Sequence, residues 1–239
     1  MEKEQSYEAV FFDLDDTLYN STLMSNTARR NAIRAIIEAG LDVDEDLAFN
    51  LLMEIVKEYG SNYDEHFNRL IEKLGYQIHP KLIAAAVVAY HRTKISLLRP
   101  FPDVILTLLT LRKEMKIGII TDGRKVKQWE KLIYLGVEHF FDAVIINEKK
   151  EHHKPSLEGF QKALDVLELK NPEKVIYVGN KTDTDILGAN NFGFVSVLYC
   201  PKKNFSLENL PEIQKPNHII HRISEITKIL NITQKKWGI

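Results

Sequence analysis

The sequence predicts an α/β fold: a doubly wound parallel sheet interrupted by an inserted all-helical module. Two observations carry this. Short β-branched or aromatic runs bounded by polar residues recur along the chain, and from the second run onward they alternate with segments of helical period. Between the first run and the second, residues 20–98 offer no strand candidate at all.

Taken in order, the strand candidates are AVFFD (9–13), KIGIIT (116–121), AVIIN (143–147), KVIYVG (174–179) and VSVLY (195–199). Runs that are apolar on both faces suit strands covered by helices on both sides of a parallel sheet. Helical periodicity over 102–114, 125–135, 156–168 and 184–192 supplies the crossovers. The stretch 20–98 reads as four amphipathic helices, broken near Gly40, at Gly60-Ser61-Asn62 and from Gly75 to Pro80. Pro100 and Pro102 stiffen the return. The division expected is a discontinuous α/β core of residues 1–19 and 99–239 with a helical domain of residues 20–98.

Composition narrows the function classes. Hydrophobic residues make up 44% and charged residues 27%, which allows a sizeable core. A net charge of −1 creates no field to draw in nucleic acid or an anionic membrane, and the tail Lys235-Lys236-Trp237 is too short for a binding arm. The single cysteine, Cys200, excludes an intramolecular disulfide and a cysteine-rich zinc site; its place after SVLY suggests an inert thiol buried at a strand end. The opening MEKEQSYEAV lacks the basic-then-apolar layout of a secretory signal. The longest apolar stretch, Leu82 to Leu98, is interrupted by His91, Arg92 and Lys94 and reads as a packed helix. The expectation is a cytoplasmic protein, monomer or homodimer, with a small-molecule partner and neither nucleic acid nor membrane.

Chemistry is sought where strands end, because ligands of open α/β sheets bind outside the carboxyl edge. The first strand delivers Asp13, with Asp15, Asp16 and Thr17 following. The second ends in Thr121-Asp122-Gly123, and the fourth leads into Asn180, Asp183 and Asp185. HHKPS places Lys154 just before the helix at 156. Singly, each has an ordinary reading: acids after strands cap helices or form turns, Thr121 caps a strand, Lys154 is a solvated loop cation. Together they gather like charges at one sheet edge, which implies a cation and a lysine among them.

The motifs DLDDTL (13–18), IITDG (119–123), KP (154–155) and VGNKTDTDILGA (178–189), in this order, resemble those of the haloacid dehalogenase-like hydrolases in their phosphatase branch. The resemblance covers the whole chain and implies a Rossmann-like core with an α-helical cap inserted between the first and second motifs. It also implies Mg²⁺-dependent hydrolysis of a small phosphorylated metabolite. In the resemblance as in the chemistry of phosphate esters, Asp13 is the nucleophile that forms an aspartyl-phosphate. Asp15 protonates the leaving alkoxide and then takes a proton from water. Lys154, Thr121 and the backbone N–H groups around Asp122 and Gly123 bind the phosphoryl oxygens. The metal set implied is Asp13, the backbone carbonyl of Asp15, position 180, and Asp185, which stands near the metal or beside the lysine. Mg²⁺ suits such oxygen donors.

One position departs from the pattern. Where the family usually carries aspartate after VG, this chain has Asn180, which keeps an amide oxygen but loses the charge. Weaker but retained metal binding is expected. The alternatives are a non-catalytic phosphate- or metal-binding relative weakened by Asn180, and a phosphomutase or dehalogenase of the same superfamily. Asp15 argues against a dehalogenase, whose chemistry needs neither metal nor general acid. The adjacent His152 and His153 read as solvated, Tyr90 and His91 as cap core and wet face, and residues 201–217 as a surface connection. A lid hinged at 19–21 and 98–102 would exclude water and admit only small substrates.

Overall fold

A computed structural model describes residues 7–202 and 205–232; the Lys235–Trp237 tail lies outside them. The chain forms two compact units, one of residues 21–98 and one of the described parts of 1–20 and 99–239.

The second of these is built on a six-stranded sheet: β1 (Ala9–Phe12), β2 (Lys116–Asp122), β3 (Ala143–Asn147), β4 (Val175–Gly179), β5 (Val195–Tyr199) and β6 (His218–Ile220). The order is β3-β2-β1-β4-β5-β6, and every pair is parallel. The chain winds one way from β1 to β3 and the other way from β4 to β6. The reversal falls between β1 and β4, which leaves a crevice at the carboxyl edge of those two strands. The doubly wound parallel sheet expected from the sequence is therefore what the chain forms. β6 goes beyond the five strands expected. It is three residues long and lies on the edge, aligned only by its pairing of Val197 with His218 through Tyr199 with Ile220.

The helical unit consists of α1 (Ser21–Glu38), α2 (Glu45–Tyr59), α3 (His66–Lys73) and α4 (Pro80–Leu97). Its own core gathers Ala32, Ile33, Ile36, Leu52, Ile55, Leu70 and Ala86, with Tyr90 packed against it. Asp44 caps α2 by accepting from the Leu47 N–H at 2.8 Å, and Pro80 opens α4 where its missing N–H costs nothing. Tyr90 meets Phe67 edge-on, while His91 is exposed. No helix among the described residues is long and apolar enough to cross a membrane.

The crossovers of the sheet are α5 (Val104–Leu111), α6 (Lys125–Leu135), α7 (Glu158–Leu167) and α8 (Leu187–Phe192), followed by the short α9 (Ile226–Ile229). Right-handed connections put α5 and α6 on one face and α7 and α8 on the other. Beneath α7 and α8, Phe11, Ile120, Tyr177, Phe160 and Phe194 form one buried cluster. Phe160 meets Tyr177 and Phe194 edge-to-face at 5.1 and 5.6 Å, pairs worth about 0.5–1.5 kcal/mol each beyond their burial. The helix expected at 184–192 is divided: Thr182–Ile186 is a wide π-turn, and only then does α8 begin. Cys200 falls one residue past β5 and is partly exposed, not buried; its thiol donates to Lys202 O at 3.3 Å. The connection after it is tied down, since Asn190 Nδ2 donates to Ile213 O and Lys215 O at 2.7 and 2.9 Å.

Candidate active site

Asp13 N–H donates to Val178 O at 2.8 Å, so the β1–β4 ladder runs one residue past β1 and delivers the Asp13 side chain at the crevice. Lys154 stands between β3 and α7. Its Nζ donates to Asp13 Oδ1 at 2.5 Å and to Tyr177 Oη at 2.8 Å, and lies 2.7 Å from Asp185 Oδ1 and 3.2 Å from Ile120 O. Asp13, Lys154 and Asp185 are 6%, 6% and 1% exposed, so this is a buried ionic cluster of two carboxylates and one ammonium. Burial pushes the Asp13 carboxyl up to about 7; Lys154 opposes that, while Asp185 and Asp15 add to it. Burial alone would lower the Lys154 pKa, yet Asp13 and Asp185 together hold it well above its usual value. The cluster is short of one positive charge.

Asp185 has no lone pair to spare. Oδ1 faces Lys154 and accepts from Tyr177 at 3.1 Å, and Oδ2 accepts the N–H groups of Asn180 and Lys181, both at 3.0 Å. Of the two places the sequence left open for it, Asp185 stands beside the lysine. The π-turn is what brings it inward, with the N–H groups of Asp185 and Ile186 both bonded to Lys181 O. Asp183, on the same turn, is exposed. Gly179 lets Asp185 approach, because a Cβ there would lie 2.4 Å from Asp185 Cβ. Gly179→Ala is therefore expected to cost about 1–3 kcal/mol, measured as a lowered thermal midpoint. An unchanged midpoint would mean that the Asp185 turn yields freely.

Thr17 marks where a cation would sit. Its buried hydroxyl lies 3.4 Å from both Asp13 Oδ2 and Asn180 Oδ1, two oxygens that face one point. One carboxylate, one amide oxygen and a site short of positive charge fit Mg²⁺, which takes hard oxygens and keeps several waters. Among the described residues no group of three or more His, Cys, Asp or Glu side chains forms a ligand cluster. His152 pairs with Glu158 rather than standing free in solvent.

Asp15 is held from α6. Lys131 Nζ reaches its two oxygens at 2.8 and 2.7 Å, Tyr19 donates its hydroxyl to Oδ1, and Gln128 Nε2 lies 3.3 Å from Oδ2. Burial raises the Asp15 pKa, but the Lys131 charge and these hydrogen bonds outweigh it and hold the carboxyl below the usual range. Asp15 stands here as an anion, stabilised by its pair with Lys131.

The end of β2 is knitted to the lysine loop. Asp122 Oδ1 accepts from Asn147 Nδ2 at 2.9 Å and Oδ2 from Lys154 N–H at 3.1 Å. The Gly123 N–H donates to Asn147 O at 2.9 Å. That N–H is therefore committed to the protein and is not free for a phosphoryl oxygen, against expectation. Gly123 contributes instead a φ of 132°, which a side chain would strain. Thr121 Oγ1 accepts from Gln128 Nε2 at 2.8 Å.

Gln128, Lys131, Tyr19, Tyr177 and Asn147 all touch this site and none was picked out from sequence. Gln128 alone left a trace: it is polar within the buried i, i+4, i+7 stripe that Leu132 and Leu135 continue.

A family model described as haloacid dehalogenase-like hydrolase matches residues 10–199. The glyceraldehyde 3-phosphate phosphatase of Methanopyrus kandleri is 47% identical over 231 residues, covering 92% of this chain and 99% of that protein. Its namesake from Methanocaldococcus jannaschii is 40% identical over 229 residues, covering 95% and 99%. Among solved structures, the HAD phosphatase from Thermococcus onnurineus shares the fold with a TM-score of 0.65 at 22% identity, over 93% of this chain and 97% of its own. The motif residues lie on one sheet edge and the family match spans the sheet from β1 to β5; the chain belongs to the haloacid dehalogenase-like hydrolases.

Proposed function

We propose that this chain is a Mg²⁺-dependent phosphomonoesterase whose substrate is glyceraldehyde 3-phosphate or a closely similar small phosphorylated metabolite. The observation that carries the reading is buried Lys154 bridging Asp13 and Asp185 at the β1/β4 crevice. Relatives more than 40% identical named for this activity support the substrate.

A phosphate ester repels nucleophiles with its own charge, so the site must cancel charge while offering one. Asp13 attacks phosphorus, the ester P–O bond breaks, and the alkoxide leaves with a proton. Water then attacks the aspartyl-phosphate, giving its proton to Asp15 and releasing inorganic phosphate. The Lys131 ion pair holds Asp15 deprotonated and makes it a weaker base, so both proton transfers need Asp15 to loosen that pair. Lys154 balances the Asp13 carboxylate, and Thr121 donates to a phosphoryl oxygen. The oxygens of Asp13 and Asn180 would hold Mg²⁺, which when bound would supply positive charge against a dianionic phosphate. We assign the helical unit, which enters the chain directly after the loop carrying Asp15, the role of a lid that selects small substrates.

The test is phosphate release from glyceraldehyde 3-phosphate and p-nitrophenyl phosphate across a Mg²⁺ titration, for wild type and Asn180→Asp. Wild type is expected to turn over only with Mg²⁺ and to favour glyceraldehyde 3-phosphate. Asn180→Asp is expected to half-saturate at about tenfold lower Mg²⁺, since an added ligand charge tightens a hard-cation site. No release from any ester at saturating Mg²⁺ would leave only a binding protein.

A further inference from the structure

The amide of Gln128 sets the direction of a catalytic hydrogen bond, an inference that rests on the phosphatase reading above. Gln128 is 2% exposed; its Oε1 is buried with no hydrogen-bond partner among the described residues, so all its polar contacts are made by the NH₂ end. Its Nε2 lies 2.8 Å from Thr121 Oγ1, 2.7 Å from Asp122 O and 3.3 Å from Asp15 Oδ2. Asp122 O is a backbone carbonyl, which can only accept, so the NH₂ end of the amide must face it, and the alternative flip would set oxygen against oxygen. The two amide hydrogens serve the two shorter contacts, Asp122 O and Thr121 Oγ1, with Asp15 Oδ2 more distant. Thr121 Oγ1, on the same nitrogen, therefore meets a donor. A hydroxyl that accepts there keeps its own hydrogen for another partner. Thr121 is 1% exposed, and its hydroxyl donates to no other group among the described residues.

We propose that Gln128 is a positioning residue that makes the Thr121 hydroxyl an obligate donor, its hydrogen reserved for an oxygen of the phosphoryl group. Gln128 acts through Thr121 and does not touch the substrate. The benefit is preorganisation: the donor is aimed before the ester arrives and need not be turned during reaction. The geometry also explains a polar residue in the buried stripe of α6, where Leu132 and Leu135 would otherwise favour a third apolar side chain.

A double-mutant cycle on Gln128→Met and Thr121→Val separates this role from packing. The readouts are kcat/KM for p-nitrophenyl phosphate with Mg²⁺ and the Kd of inorganic phosphate by calorimetry, with thermal midpoints to show that each variant folds. Thr121→Val is expected to lower kcat/KM by roughly 100-fold, and Gln128→Met by about tenfold. In the Thr121→Val background, Gln128→Met is expected to change it less than about twofold. Gln128→Leu serves in the same cycle should the methionine variant fail to fold. An equal loss in both backgrounds, or no loss in wild type, overturns the proposal. If wild type hydrolyses no ester, the phosphatase reading fails instead, and the phosphate Kd still decides whether Gln128 and Thr121 are coupled.

Discussion

Asp13→Asn is expected to abolish phosphate release and, at the same time, to stabilise the metal-free protein at pH 8. The first effect follows from the nucleophile: an amide oxygen does not form the acyl phosphate, so a loss of roughly 10⁴-fold or more is expected. The second follows from the charge count at the crevice, where two carboxylates share one ammonium. Burial raises the Asp13 carboxyl from 3.8 to about 7. Between those values the folded protein keeps a proton that the unfolded chain has lost, so stability falls as pH rises through this window. The favourable contribution is complete below the unfolded pKa and gone above the folded one. Without a titrating group the variant escapes this loss, and Lys154 keeps Asp185 as its partner. In EDTA, wild type should lose roughly 2–4 kcal/mol between pH 5 and pH 8, on the order of 5–10 °C in thermal midpoint, while the variant stays level. A variant no more stable than wild type at pH 8 would show that the cluster carries no excess of negative charge.

What the sequence shows of this site is what strands deliver directly. Asp13 follows an unbroken apolar run, and a run fully buried in the sheet must end at an edge, so its side chain has only one place to go. The same holds for Thr121 at the end of β2 and for the turn after β4. Lys154 alone reads as a solvated loop cation and becomes legible only with the other strand-end motifs in order. The supporting residues are different. Lys131 lies 116 positions from Asp15, and in sequence it is one more charged residue on an amphipathic helix. Only the sheet order, with β2 beside β1, carries the start of α6 to the loop after β1.

Tyr177 is hidden for another reason. Its ring packs against Phe160 as any strand aromatic would, and nothing in an apolar run announces that the hydroxyl at its tip reaches Lys154 and Asp185. Backbone groups escape motif reading altogether. The Gly123 N–H looks free in the sequence, but the register pairing Asp122 with Asn147 sets a carbonyl against it. Asp185 illustrates the same limit: spacing places it near the site, and only the π-turn decides which of its possible partners it meets.

Lys154→Met is expected to have the opposite effect on stability to Asp13→Asn, and this contrast tests the cluster as a unit. Methionine keeps the length and apolar stem but removes the cation between Asp13 and Asp185. Two buried carboxylates would then face each other, with the Tyr177 and Thr17 hydroxyls and backbone N–H groups near them but no cation between them. Removing one partner of a buried ion pair typically costs about 3–5 kcal/mol, because the remaining charge is stranded. In EDTA at pH 8 the variant should unfold far below wild type. Toward pH 5 the gap should narrow, since an aspartate stranded without its counter-ion can neutralise itself by taking up a proton. Activity should fall by roughly 10²–10³-fold or more, as it does when a donor to a developing anion is lost. Lys154→Arg is not expected to rescue either property: a planar guanidinium cannot replace a point charge that meets Asp13, Asp185, Tyr177 and Ile120 O from one nitrogen. Thermal midpoints at the two pH values, with phosphate release alongside, settle the matter. A Lys154→Met variant as stable as wild type at pH 8 would mean that the carboxylates are already neutral or solvated, and the charge argument for both variants would fall with it.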